Sequence, residues 1–232
     1  MQSTSNSESR LHQRLQANSF SQLIVLGELT SGRAVVAYGL AKKDVNQKNT
    51  QFTLNGDNVY VETKEASANL IKKHQVVHSL TVSKDEKIFI FGNNYHCDII
   101  AQAMTQGENF AEVTQWLSNH SIVIGTEPIV SGLVRIKNEK FSFETSITTN
   151  NGGAIKHHYS NSPTLSIGPG LGVVLLMYPN SPRYSLFTTN INGGIYDTGE
   201  RLWNLMGKSS RTALFAQKIF PDERKSKIET WS

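Results

Sequence analysis

Two short apolar, β-branched runs, QLIVLGE (22–28) and RAVVAYGLA (33–41), stand on either side of Thr30-Ser31-Gly32 and predict a pair of strands joined by a turn. NTQFTL (49–54) and NVYVET (58–63) flank Asn55-Gly56-Asp57, the strongest hairpin signal in the chain. Together these runs predict a meander over the first sixty residues. VVHSLTVS (76–83) and KIFIFG (87–92) form a further strand pair around a polar turn. From Cys97 to Met104 the apolar spacing turns helical, and Asn109 followed by Glu112 resembles a capping box for a second helix, FAEVTQWLS (110–118). Strand patterns return at SGLVRIK (131–137), KFSFETSIT (140–148), AIKHHYS (154–160), LGVVLLMY (171–178) and YSLFTT (184–189). TGERLWNLMG (198–207) predicts a short helix with Gly207 past its end, and RTALFAQKIF (211–220) a final strand.

About ten strands and three helices, with the helices grouped instead of alternating with strands, indicate an α+β chain and not a doubly wound parallel sheet. Strands with one apolar face each are used economically by two antiparallel sheets packed on one another, with helices outside. One domain over 20–220 follows, with a polar, flexible leader at 1–19 and a polar tail at 221–232.

Composition narrows the function classes. A hydrophobic fraction of 38% and a charged fraction of 18% describe an ordinary globular chain. No apolar run approaches the roughly 20 residues of a membrane helix, and the N-terminus carries no apolar signal core, so a cytoplasmic protein without membrane association is expected. The net charge of +4 is scattered; it is too weak for a nucleic-acid surface but suits an anionic small molecule. With Cys97 alone there is neither a disulfide nor a thiolate zinc cluster, and a small buried filler is the simpler reading of that thiol.

Local motifs leave alternatives open. The glycines of SIGPGLGVV (166–174) precede a strand instead of opening a helix, so they read as a turn and not as a nucleotide loop. His157 and His158 would point to opposite faces of a strand and cannot easily share one metal ion, although one of them can still face a pocket. His78, His96, Asp98 and Glu127 all suit acid/base work, and spacing does not choose among them. FGNNYHCDIIAQAM (91–104) is either a helix start whose Asn and Asp satisfy free amides, or an anion site built from those amides with Asn93 and His96.

Several segments taken together resemble the archaeal-type IMP cyclohydrolase family. QLIVLGELTSGRAVVAYGLAKKDVNQKNTQF (22–52) is similar to that family's opening glycine-turn hairpin and the Ser/Arg/Asn-rich segment after it. FGNNYHCDIIAQAM looks like its N-G-x-x-T-D-T-I turn and helix, and GTEPIVSGLVRI (125–136) looks like its Y-E-x-D-x-x-x-T-P-R-I stretch. RLWNLMGKSSRTALF (201–215) resembles an aromatic-asparagine segment of bacterial members. The resemblance implies an Ntn-hydrolase-like fold, a four-layer αββα sandwich of two antiparallel sheets. It implies a reaction that needs no metal or organic cofactor: closure of a purine ring, in which formyl-aminoimidazole-carboxamide ribotide loses water to give IMP. Relatives are often oligomeric, so a homo-oligomer fits, and LGVVLLMY would serve a subunit contact or the core equally well.

Carried over by position, the family's essential glutamate falls on Glu127 and its essential arginine on Lys48, which keeps the charge but not the planar fork. The active-site tyrosine falls near Val77-His78. The resemblance thus assigns catalysis to Glu127, Lys48 and His78, and substrate binding to Asn93, His96, Asp98 and Arg135. The family's acidic residue two before the glutamate is Gly125 here, its T-P is Leu133-Val134, and its T-D-T is Cys97-Asp98-Ile99. A scaffold kept while its chemistry is edited allows three functions: a divergent cyclohydrolase, a relative recruited to another amide cyclisation or hydrolysis in specialised metabolism, or a non-catalytic nucleotide-binding protein.

Overall fold

The computed structural model describes residues 4–17, 20–41, 50–64, 71–83, 86–92, 96–120, 128–151, 154–161, 168–179, 181–191, 193–207, 211–221 and 226–231. The apolar runs become antiparallel strands: β1 (Gln22–Leu29), β2 (Arg33–Ala41), β3 (Thr50–Asn55), β4 (Asn58–Lys64), β5 (Ile71–Ser83), β6 (Glu86–Gly92), β7 (Ile129–Lys137), β8 (Lys140–Asn151), β9 (Ala154–Asn161), β10 (Leu171–Met177), β11 (Tyr184–Asn190), β12 (Arg211–Ile219) and β13 (Ser226–Trp231). The helices are α1 (Thr4–Gln16), α2 (His96–Thr105), α3 (Phe110–Asn119) and α4 (Ile195–Leu205). The chain is thus mixed α+β, with two antiparallel sheets, an arrangement compatible with a sandwich. One sheet runs β11-β10-β1-β2-β12-β13; the other keeps sequence order from β3 to β9.

Among the described residues, the three larger of four buried clusters hold the elements together. Between the sheets, Ile24, Val36, Tyr38 and Phe215 of the first meet Val61, Phe89, Phe91, Val134 and Phe143 of the second. The alternate residues of the first sheet, such as Leu23, Val25, Leu176 and Leu214, pack against Leu11 and Leu15 of α1 and Leu202 of α4. On the far side Ile88, Ile90 and Leu133 pack against Ile100 of α2 and Val113 of α3. Because β1 and β2 lie centrally and are covered on both faces, their sequences read as unbroken apolar runs and not as alternations.

Local chemistry explains the boundaries. Asn109 caps α3, its side-chain oxygen accepting from the Glu112 amide at 2.9 Å. Gly170, with φ +80°, completes a turn in which the Leu171 amide bonds the Gly168 carbonyl at 2.9 Å, as the glycine-rich stretch predicts. The predicted hairpin at 55–58 forms, with Gly56 (φ +61°) and Asp57 as the two turn residues.

Other expectations change. The first two hairpins do not form one meander, because β1 and β2 belong to one sheet and β3 and β4 to the other. The segment expected to be a loose polar leader carries α1, whose Leu11 and Leu15 sit one turn apart and are fully buried. Glu8 fixes this helix, accepting from Arg201 at 3.3 Å and from Asn190 at 3.3 Å. The expected polar tail contains β13, whose Trp231 lies so close over α4 that a Cβ on Gly199 would come within 2.0 Å of its ring. The last helix starts three residues earlier than its pattern predicts, at Ile195, and Asp197 accepts from the Gly194 amide at 2.8 Å.

The two ends of the sheet pair differ. At one end Asp57, in the β3–β4 turn, ties the sheets: it accepts from Lys87, and from the Ser226 amide (3.2 Å) and hydroxyl, while its own carbonyl takes the Gln217 side chain at 3.2 Å. The antiparallel registers place Gln22, Ala41 and Met177 of one sheet, and Thr50, Ile129 and Thr148 of the other, toward the opposite end, with Gly92 two positions short of Ile129.

Candidate functional site

Described neighbours of three candidate segments lie toward that opposite end. Ala41 and Thr50 bracket the stretch containing Lys48, Gly92 precedes Asn93, and Pro128 follows Glu127. Lys48, Asn93 and Glu127 themselves lie outside the described residues.

His96 opens α2 and is buried. Its Nε2 donates to the Val130 carbonyl at 3.1 Å, which pins the helix start to β7. Gly92 makes this approach feasible, since a Cβ there would meet His96 Nε2, Cys97 Sγ and the Val130 carbonyl, each at 2.8 Å. His96 is thus buried at the helix start, with its Nε2 engaged by β7. Cys97 is fully buried beneath α2; burial, and then the neighbouring Asp98 charge, push its thiol far above the ordinary range. The simple reading of Cys97 as a filler fits this environment, and a nucleophilic thiolate does not.

His78 is placed by a local irregularity. The β4–β5 register shifts at Val59/Tyr60, so that both Val76 and Val77 turn into the core between the sheets. His78, paired across to Ile90, then falls on the outer face under α2. There its Nδ1 lies 3.6 Å from Asp98 Oδ1, with the two side chains 30% and 57% exposed. The structure thus brings His78 and Asp98 together, but on the helix side of the sheet and not in the gap between sheets.

Arg135 does not join them. It stands six positions along β7 from Ile129, about 20 Å at some 3.3 Å per residue, and it is ion-paired to Glu86. Lys137 also reaches Glu86, at 3.2 Å. Burial raises the Glu86 carboxyl, but the Lys137 and Arg135 hydrogen bonds outweigh it and hold the group below the ordinary carboxylate range. Arg135 thus belongs to a structural charge cluster at the wrong end of the strand for the expected substrate role.

A second feature at the open end escaped the sequence reading. A cleft of about 810 Å³ opens at the edge where β8 and β9 face the β10–β11 turn. It is lined by Arg14 from the last turn of α1, His158 of β9, Ile147 and Thr149 of β8, Tyr178, Ser181, Pro182 and Arg183 from the β10–β11 connection, and Tyr184 and Ser185 of β11. The cluster YPNSPRY (178–184) was visible in the sequence as an aromatic, arginine-bearing turn, but Arg14 was hidden in a segment read as unstructured. Of the two histidines, either of which could face a pocket, His158 lines this cleft. The His157 side chain lies outside what is described.

Among the described residues no three His, Cys, Asp or Glu side chains gather so as to hold a metal ion. No described helix is long and apolar enough to cross a membrane. Compared with models of known protein families and with curated proteins, the chain matches none.

Proposed function

We propose that the protein is a cyclohydrolase-type enzyme acting on an anionic, nucleotide-like substrate, closing a ring by intramolecular amide attack on a formyl carbon, as in the formation of IMP. The observation that carries this reading is convergence. Three segments chosen by their resemblance, up to about eighty residues apart in sequence, have described flanks (Ala41 and Thr50, Gly92, Pro128) at the same end of the paired sheets. Gly92 and Pro128 share an end because β6 and β7 are antiparallel neighbours; that the stretch between Ala41 and Thr50 reaches the same end is the independent part of the observation. The two antiparallel sheets with helices on their outer faces are also compatible with the Ntn-hydrolase-like αββα sandwich of that family.

The chemistry asks little of the protein beyond position and charge. The carboxamide nitrogen adds to the formyl carbon; one proton from each participating nitrogen then leaves with the formyl oxygen as water, and the ring is complete. Glu127 is the group assigned to assist proton removal from the weakly acidic amide, and Lys48 to steady the developing oxyanion. Asn93 orients the substrate arms, which supplies much of the acceleration by holding reacting atoms in contact. His78 and Asp98 have the weaker claim on this chemistry, since the bulge in β5 turns His78 to the helix side of the sheet, where it faces Asp98 of α2.

Purified protein mixed with the formylated ribotide should generate the ultraviolet absorbance of IMP, and Glu127→Gln should lower kcat by about 100-fold or more. No product at high enzyme concentration, or full activity in Glu127→Gln, overturns the proposal. Inertness towards this ribotide would turn attention to another amide cyclisation on the same framework.

A further inference from the structure

We infer that the cleft between Arg14, His158 and Arg183 is a binding site for a phosphomonoester carried on a planar aromatic group. This inference does not rest on the ring-closing reaction, although the two sites share one end of the molecule.

Charge comes first. The described lining contains two arginines and an imidazole and no carboxylate. Glu8, the acid on the same helix as Arg14, is already occupied by Arg201, Thr189 and Asn190 on β11 and α4, so it is not available to neutralise the cleft. Guanidinium groups present planar pairs of donors that match phosphate oxygens, and the two arginines approach from different elements, a helix end and a strand turn.

Shape and neutral chemistry narrow the ligand further. The hydroxyls of Thr149, Ser181 and Ser185 supply donors, and Tyr178 is fixed by a 2.8 Å hydrogen bond between its hydroxyl and Ser185 Oγ. Ser181 Oγ accepts from the Arg183 amide at 3.2 Å and so shapes the turn that carries the arginine. The rings of Tyr178 and Tyr184, with Ile147 and Pro182, provide apolar surface for a flat group. A volume of about 810 Å³ has room for a nucleoside monophosphate and far exceeds the needs of a bare anion.

The full chain is titrated by isothermal calorimetry with adenosine 5′-monophosphate, adenosine and inorganic phosphate. The monophosphate should bind, and the other two should bind about tenfold more weakly or worse. Arg14→Ala and Arg183→Ala should each weaken the monophosphate about tenfold or more, with the thermal melt of the unliganded protein unchanged because both side chains are exposed. Lys140→Ala, which removes the same charge from the turn at the other end of β8, should leave the affinity as it was. Absence of monophosphate binding at millimolar concentration, equal binding of adenosine, or unchanged affinity in both arginine variants overturns the inference. A chain that binds the monophosphate through Arg14 and Arg183 but makes no IMP sinks the ring-closing proposal and leaves the cleft standing. Ring closure by a chain whose arginine variants bind the monophosphate normally does the reverse.

Discussion

Replacing Asp57 by asparagine tests whether the β3–β4 turn locks the two sheets together. The amide side chain would keep an oxygen for the Ser226 amide and hydroxyl but present no charge to Lys87, whose side chain is only 12% exposed. A hydrogen bond to a charged group contributes about 1.5–3 kcal/mol net, and leaving the ammonium without its carboxylate adds part of a desolvation cost. The Phe89 ring, 4.9 Å from Lys87 Nζ, offsets some of that. The expected loss is about 2–3 kcal/mol at neutral pH, or about 5–10 °C in Tm for a chain of this size. Urea unfolding followed by circular dichroism reads it directly, and a cycle with Lys87→Met isolates the pair from the Ser226 contacts. The pH dependence supplies an independent check. Burial raises the Asp57 carboxyl, but the Lys87 and Ser226 hydrogen bonds together hold it below the ordinary value. Its contribution is therefore complete above the unfolded-state pKa of about 3.9 and is lost as pH falls through the lower native value. Wild type and variant should converge in acid. A difference under about 0.5 kcal/mol at pH 7, or one that persists undiminished at pH 3, would refute the clamp.

Two further outcomes follow from packing. Gly132→Ala places a Cβ 1.8 Å from the Phe91 ring in the core between the sheets, so a destabilisation of about 3 kcal/mol is expected in urea titrations, relieved when Phe91 is also truncated. Cys97, fully buried and with its thiol pushed up, should react with a chromogenic disulfide reagent only as fast as the protein opens. Labelling that is fast under native conditions and unaffected by stabilising solutes would contradict its placement.

The sequence by itself determined most element identities: the strands from β1 to β12, the cap at Asn109, the hairpin turn at Gly56-Asp57 and the α+β class. These are written in residue type and in periods of two or 3.6, which local physics reads without knowing the partner surface. It also marked Cys97 as a filler and narrowed the glycine-rich stretch at 166–174 to a turn. Where it failed, the deciding forces were not local. Two leucines in a polar background gave α1 no clear signature, because its stability comes from seating Leu11 and Leu15 on the first sheet. SKIETW became β13 because β12 offered an unpaired edge and Gly199 left room for Trp231. Hairpins look alike whichever sheet receives them, so the separation of β1–β2 from β3–β4 was settled only by long-range packing. The site divides the same way. Residue chemistry nominated His78, His96 and Asp98, and the resemblance nominated Arg135, but a one-residue bulge, a buried carbonyl and a competing Glu86 set their surroundings. The cleft at Arg14 and Arg183 exists only because a helix near the N-terminus and a turn some 170 residues later are brought to the same edge. Periodicity fixes which face of an element is apolar; only the assembled sheets fix what covers that face and what is left open beside it.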